Sequence, residues 1–100
     1  MKVKLRDNAW SLVRTDLGPS IRGQIDPPAY QRKQLKISTR IKSEKELLEV
    51  MIHECLHGCF WDIDEMAIDK AAVDISNVLY KLGARITMDK VTKRSRPKTK

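Results

Sequence analysis

Residues 52–57 read Ile-His-Glu-Cys-Leu-His and lie within a segment that has helical periodicity. Two histidines four residues apart on a helix are separated by about 40° around its axis, so both rings can reach one metal ion. The glutamate after the first histidine points beside the same position, where it can take a proton from water. This stretch therefore predicts a metal site held by His53 and His57, with Glu54 as a general base.

The helix that carries the motif has a marked start and a broad apolar face. Ser43 and Glu46 have the spacing of a capping box. Cys55 and Cys59 lie about 200° and 240° from His53 around the axis, nearly opposite the histidines. We therefore expect both cysteines to pack in the core and not to bind the metal. We also expect free thiols, because cysteines one turn apart in a helix do not readily form a disulfide. The apolar face comprises Leu47, Leu48, Met51, Ile52, Cys55, Leu56 and Cys59.

A second helical pattern begins near residues 62–64 and ends at Gly83, a residue typical of the position just after a helix. Stepping backwards along its apolar stripe leads to Glu65, so we expect a carboxylate at an inward position in the first turn. A buried carboxylate needs a partner, and a metal ion is a good one. The stripe consists of Ile68, Ala72, Ile75, Leu79 and Leu82.

Catalytic zinc takes three protein ligands, and the chain has no histidine beyond the two in the motif. A continuous helix would place Glu65 about 12 Å from His57 along the axis, so the chain must turn between the two residues. Glu65 is the preferred third ligand and Asp69 the second choice. Asp62 and Asp64 are candidates that we expect instead to cap the helix or to orient a ligand through its second nitrogen.

Short strands are predicted elsewhere in the chain. Residues 2–15 alternate loosely around the turn signal Asp7-Asn8 and indicate a hairpin or two short strands. Residues 22–25 and 85–88 each suggest a short strand, and residues 34–38 alternate cleanly. The fold class is therefore α+β, with a small antiparallel or mixed sheet packed on two helices in one domain over residues 1–88. Residues 89–100 are basic and aperiodic, and we expect a disordered tail.

The formal charge of +7 is unevenly distributed. Residues 46–89 hold three basic and nine acidic residues, which suits a cation site, whereas residues 1–45 hold eleven basic and four acidic residues. The basic segments on either side, residues 1–45 and the tail, allow contact with nucleic acid or an acidic partner. The chain has no apolar run of about 18 residues and no signal-peptide core at its start, so we expect a cytoplasmic protein without membrane contact.

The segment from Leu48 to Gly83 resembles small zincin-type proteins of phages and bacteria, similar in layout to compact gluzincins, whose third zinc ligand is a glutamate. The resemblance rests on the HExLH motif, the following Trp61, the Asp64-Glu65 pair that opens a helix, and its Leu-Gly end. It implies Zn²⁺ bound by His53, His57 and Glu65, with Glu54 as base. It also implies a minimal zincin-like fold with a small sheet packed on two helices. By analogy with many small metallopeptidases, the strand at residues 34–38, just before the active helix, is expected to run along the substrate groove.

The expected function is that of a zinc metallopeptidase acting on a peptide or protein substrate, in the host cytoplasm if the source is viral. The developing oxyanion needs a donor besides the metal, and Tyr30, Tyr80 and Arg85 are the candidates. The alternative is a non-catalytic, zinc-stabilised binding protein whose basic flanks contact nucleic acid or an acidic partner. Substrate specificity and oligomeric state stay open at this stage.

Overall fold

Four strands precede two helices, and a short fifth strand follows them, in a computed structural model that describes residues 1–93. The strands before the helices are β1 (Lys2–Leu5), β2 (Asn8–Thr15), β3 (Gly23–Ile25) and β4 (Gln34–Ser38). The helices are α1 (Glu44–Cys59) and α2 (Glu65–Lys81), and β5 (Thr92–Lys93) is last. The predicted α+β class, with a small mixed sheet and two helices, is confirmed.

The strands form a mixed sheet in the order β1-β2-β4-β3. β1 and β2 form the predicted antiparallel hairpin, whose two-residue loop, Arg6 and Asp7, has positive φ at both positions, as turns that match strand twist require. β2 runs parallel to β4, and β3 is antiparallel to β4. β3 therefore lies at an edge of the sheet, next to α1.

One face of the sheet supplies most of the core and packs against α1. Trp10 and Leu35 are fully buried, and the Trp10 indole N–H donates to the carbonyl oxygen of Asp26 at 3.0 Å. Val50 of α1 belongs to the same cluster. Gly58 near the end of α1 faces Leu5 and Ile25 so closely that a Cβ would collide with their methyl groups. The motif helix is thus held against the sheet along its length.

Both helix starts agree with the sequence signals. The Ser43 hydroxyl accepts from the backbone N–H of Glu46 at 3.2 Å, but the Glu46 carboxylate pairs with Arg22 at 2.7 Å, so half of the capping box forms. Asp64 caps α2 by accepting from the backbone N–H of Ala67 at 3.2 Å. The chain turns between the helices, as the distance argument required.

The prediction for the inward stripe of α2 was wrong in its second half. Ile68 and Ala72 are buried, but Leu82 is 79% exposed and Ile75 and Leu79 are also exposed. In this second half of the helix, the fully buried residue is instead Ser76. The buried residues Ile68, Ala72 and Ser76 are therefore spaced four apart, as in one of the ridges by which helices pack. With this spacing, successive buried residues lie progressively further around the helix axis from the predicted stripe.

The chain after α2 also differs from the expectation. Residues 85–88 form no strand, although Ile86 and Met88 pack against the core. The strand that joins the sheet after α2 is instead β5, which pairs in parallel with the second half of β2. β5 falls in the segment expected to be disordered, whose residues 94–100 lie outside the described range. Within residues 1–93, neither helix has the length and apolar character needed to cross a membrane.

Candidate metal centre

Three side chains from two helices converge where the loop of residues 60–64 joins the end of α1 to the start of α2. The Nε2 atoms of His53 and His57 are 3.1 Å apart. One oxygen of Glu65 lies 2.8 Å from Nε2 of His57, and its other oxygen lies 3.3 Å from Nε2 of His53. All three ligand atoms lie within 4.8 Å of one another. The chain turn that sequence reasoning required thus brings Glu65 to the histidines.

The donor set and its spacing suit a zinc ion. Two imidazole nitrogens and one carboxylate oxygen are typical zinc ligands, and three protein ligands are characteristic of a catalytic site. Ligands about 2.1 Å from a tetrahedral ion lie about 3.4 Å from one another. The His53 and His57 Nε2 atoms are separated by 3.1 Å, close to that value, and the two oxygens of Glu65 lie 2.8 Å from Nε2 of His57 and 3.3 Å from Nε2 of His53. His53, His57 and Glu65 could therefore hold one ion, with one ligand atom from each residue.

Glu65 reaches the site from the rim, and the expectation that it is buried was wrong. Its side chain is 71% exposed, whereas those of His53 and His57 are 19% and 17% exposed. The sequence argument identified the residue through a stripe that the structure does not follow. What brings Glu65 to the histidines is its position directly after the Asp64 cap, at the first residue of α2.

Glu54 lies beside the histidines in the least accessible part of the site. It is one of three buried polar or charged residues in the part of the chain described, with 8% exposure. Burial raises the pKa of its carboxyl to about 7, Glu65 adds to this shift, and His53 opposes it. Without a metal ion the carboxyl is therefore about half protonated near neutral pH. A general base works best when its pKa is close to the operating pH.

The other acidic candidates take different positions. Asp69 lies one turn after Glu65, with Oδ1 3.7 Å from Nδ1 of His53. It thus faces the nitrogen of His53 that is not directed at the ligand cluster, the place of a residue that orients a metal ligand. Asp64 is the α2 cap. Asp62 is exposed in the turn between the helices and belongs to neither the ligand cluster nor the cavity wall.

The cluster opens into a cavity of about 790 Å³ between α1, the start of α2 and the segment around β3. The floor carries Glu54 and the two histidines, and Glu49 lies one turn before them on α1. Sequence reasoning missed the rim residues Ile21, Arg22, Trp61 and Ile63. A usable signal was the placement of Trp61 and Ile63 within the loop that joins the motif to Glu65.

The strand along the cavity is β3, not β4, which corrects the analogy with other metallopeptidases. β4 lies inside the sheet between β2 and β3, with Leu35 and Ile37 fully buried. Gly23 of β3 lies so close to α1 that a Cβ would come within 2.9 Å of Glu54 Cγ and of a Val50 methyl group. Glycine at this position therefore permits the strand to approach the catalytic candidate.

Hydrogen bonding leaves one edge of β3 available. The Arg22 carbonyl accepts from Ser38 N–H, and the Asp26 N–H donates to the Gln34 carbonyl. Because the pairing alternates along antiparallel strands, the N–H and C=O groups of Gly23 and Ile25 point away from β4. Within residues 1–93, β3 pairs with β4 only. The outer edge of β3 can therefore accept a further extended strand.

None of the three expected oxyanion donors lines the cavity. The Arg85 guanidinium stacks 3.6 Å from the Tyr80 ring centre and pairs with Glu44 at 3.4 Å. This cluster joins the end of α2 to the start of α1, at the opposite end of the helix pair from the ligands. Tyr30 is 56% exposed in the turn between β3 and β4. Tyrosine and arginine side chains can donate a hydrogen bond to an oxyanion, but the positions of Tyr30, Tyr80 and Arg85 exclude this role.

The cysteines are free, as predicted, and neither belongs to the ligand cluster. Cys55 packs against the core, and burial raises the pKa of its thiol to about 11, with the charges of Cys59 and Glu54 adding to the shift. Both residues are only partly buried, so the expectation of core positions holds in part. The helix phase separated them correctly from the histidines.

Comparison with known proteins gives this chain no relative: no protein-family model, no curated protein and no solved structure matches it. Function is therefore inferred from the geometry of His53, His57, Glu65 and Glu54.

Proposed function

We propose that this chain is a zinc-dependent hydrolase that cleaves peptide bonds. The observation that carries the proposal is the convergence of His53, His57 and Glu65 within 4.8 Å, beside the buried carboxyl of Glu54 and on the wall of a cavity. Two imidazoles, one carboxylate and an adjacent base are the parts that a hydrolytic zinc site uses. The cavity gives a substrate access to all four side chains.

Glu54 is the general base in this proposal. When bound, zinc supplies Lewis acidity that lowers the pKa of water and polarises a substrate carbonyl. Glu54 takes a proton from the attacking water and later delivers it to the leaving amine. Its pKa of about 7 without metal reflects the buried position from which both transfers start. Asp69 positions the His53 ring through Nδ1, which favours Nε2 as the ligand atom.

A peptide is the substrate that the free edge of β3 supports. The outward N–H and C=O groups of Gly23 and Ile25 match the hydrogen-bonding groups of an extended chain. A segment paired there passes along the cavity wall beside Glu54, because Gly23 lies directly against that side chain. The free thiols fit a reducing compartment, and the proposal includes a cytoplasmic location, in a host cell if the source is viral.

The proposal is tested by zinc content and peptide cleavage in wild type and Glu54→Gln. We expect one zinc ion per chain in both proteins and a loss of kcat of at least about 100-fold in the variant, since general base catalysis contributes this much. Glu49→Gln is the matched control, because it removes another cavity carboxylate from the same helix without touching the ligands. Wild type that binds no zinc, or equal cleavage by wild type and Glu54→Gln, contradicts the proposal.

A further inference from the structure

A second surface feature lies on the C-terminal half of α2 and on its C-cap residue Leu82, away from the metal centre. Ile75, Val78, Leu79 and Leu82 are 40%, 58%, 37% and 79% exposed. Their spacing of three, four and seven residues places them within about 100° of one another around the helix axis. Ile75, Val78 and Leu79 line a shallow groove together with Asp74. We call these four apolar residues the α2 stripe.

The α2 stripe has the size and pattern of an interaction surface. The exposed fractions leave a contiguous apolar patch on the order of a few hundred Å², the size of the largest apolar patch on a typical monomer, which is often functional. Apolar residues at these intervals are also the pattern with which one helix packs along another. Residues 94–100 are polar and basic apart from Pro97, so this segment offers no large apolar side chain to the stripe.

The charges beside the α2 stripe indicate which partner fits. Asp74 and Lys81 are both exposed, and neither forms an ion pair with another residue in the range 1–93. They are seven residues apart, so they lie on the same side of the stripe, about 20° from each other around the axis. One acid and one base at the two ends of a single flank form a self-complementary pattern.

We propose that the α2 stripe binds the α2 stripe of a second copy of this chain, with the two helices antiparallel. A two-fold axis near residues 78 and 79 places Ile75 of each copy near Leu82 of the other. It also places Asp74 of each copy near Lys81 of the other, which forms two equivalent ion pairs. The patch is smaller than the roughly 800 Å² per partner of a stable interface, so the dimer is weak and reversible.

Sedimentation equilibrium over a concentration series tests the proposal, with EDTA present so that a shared metal ion cannot join two copies. We expect a monomer–dimer equilibrium for wild type and at least a tenfold higher Kd for Leu82→Ser. Met66→Ser is the matched control, since Met66 is 65% exposed on the same helix but lies on the opposite side from Ile75. It should leave the Kd unchanged. Circular dichroism establishes that each variant is folded, which is expected because these side chains are exposed.

A charge-exchange experiment tests the antiparallel arrangement. Asp74→Lys places two positive charges on the flank, and Lys81→Asp places two negative charges there, so each variant should dimerise more weakly than wild type. An equimolar mixture of the two should recover a heterodimer, because the opposed flanks are again complementary. Wild type that stays monomeric up to millimolar concentration overturns the proposal. A dimer that Leu82→Ser leaves intact, or a mixture no stronger than its components, also overturns it.

Discussion

The two halves of α2 carry similar numbers of apolar residues, but they face different surroundings. In the first half, Ile68 and Ala72 are buried, and Glu65 and Asp69 on the same helix point to the histidines of α1. In the second half, Val78 and Leu82 face solvent. A helical pattern therefore indicates only which residues can be buried. Whether such a residue is buried depends on whether another element packs over it.

The largest contrast is expected in stability. Ile68→Ala should lower the free energy of unfolding by about 2–5 kcal/mol, because it removes a side chain that is 3% exposed and leaves a cavity. Val78→Ala on the second half should cost no more than about 0.5 kcal/mol. Urea unfolding of dilute, EDTA-treated protein measures both. Equal losses in the two variants would remove the distinction between the halves.

Metal affinity should depend on the first half of α2 and be independent of the second. Glu65→Gln removes one of three proposed ligands, so the Kd for zinc should rise by about 100-fold or more. Asp74→Asn removes an exposed carboxylate from the second half of the same helix and should leave the Kd unchanged. Competition with a chromophoric chelator measures both constants. Unchanged affinity in Glu65→Gln would show that the convergence of these side chains is not a metal site.

The pH dependence of stability should reveal the buried acid of α1 that faces the first half of α2. The pKa of Glu54 in the metal-free folded protein, about 7, lies above its ordinary value of 4.5. The folded state therefore binds more protons between these values, and stability falls as pH rises from about 4.5 to about 7. The loss should be about 1–3 kcal/mol. Glu54→Gln should remove this slope, whereas Asp74→Asn should preserve it, as followed by urea unfolding at each pH in EDTA.

The smallest effect is expected from the residue that faces a ligand without belonging to the cluster. Asp69→Asn should raise the zinc Kd by about tenfold, because its oxygen faces Nδ1 of His53 and helps to set the orientation of the ring. The sharper readout is the imidazole NMR spectrum of the zinc-bound protein. We expect the Nδ1 environment of His53 to change while that of His57 stays constant. Equal changes at both rings would indicate a general structural disturbance instead.

Much of the fold was predictable from local signals. Alternation marked the segment of β1 and β2 and that of β4, a short strand was expected where β3 lies, and the Ser43 spacing marked the start of α1. The identity of the edge strand was not predictable, because strand order depends on pairings between distant segments. The same reason explains the wrong strand at residues 85–88. A short apolar run there packs on the core without joining the sheet, while β5 joins it a few residues later.

The sequence by itself determined the helix phase of His53, Glu54 and His57, and the need for a turn before Glu65, because both follow from the fixed rise and rotation of a helix. Only the tertiary structure decided which acidic residue joins the histidines, since Glu65 reaches them because the start of α2 packs beside the end of α1. It also decided the surroundings of Glu54, where Gly23 of a distant strand lies against the carboxylate. Contacts of this kind depend on packing between elements far apart in the chain, and no periodicity encodes them.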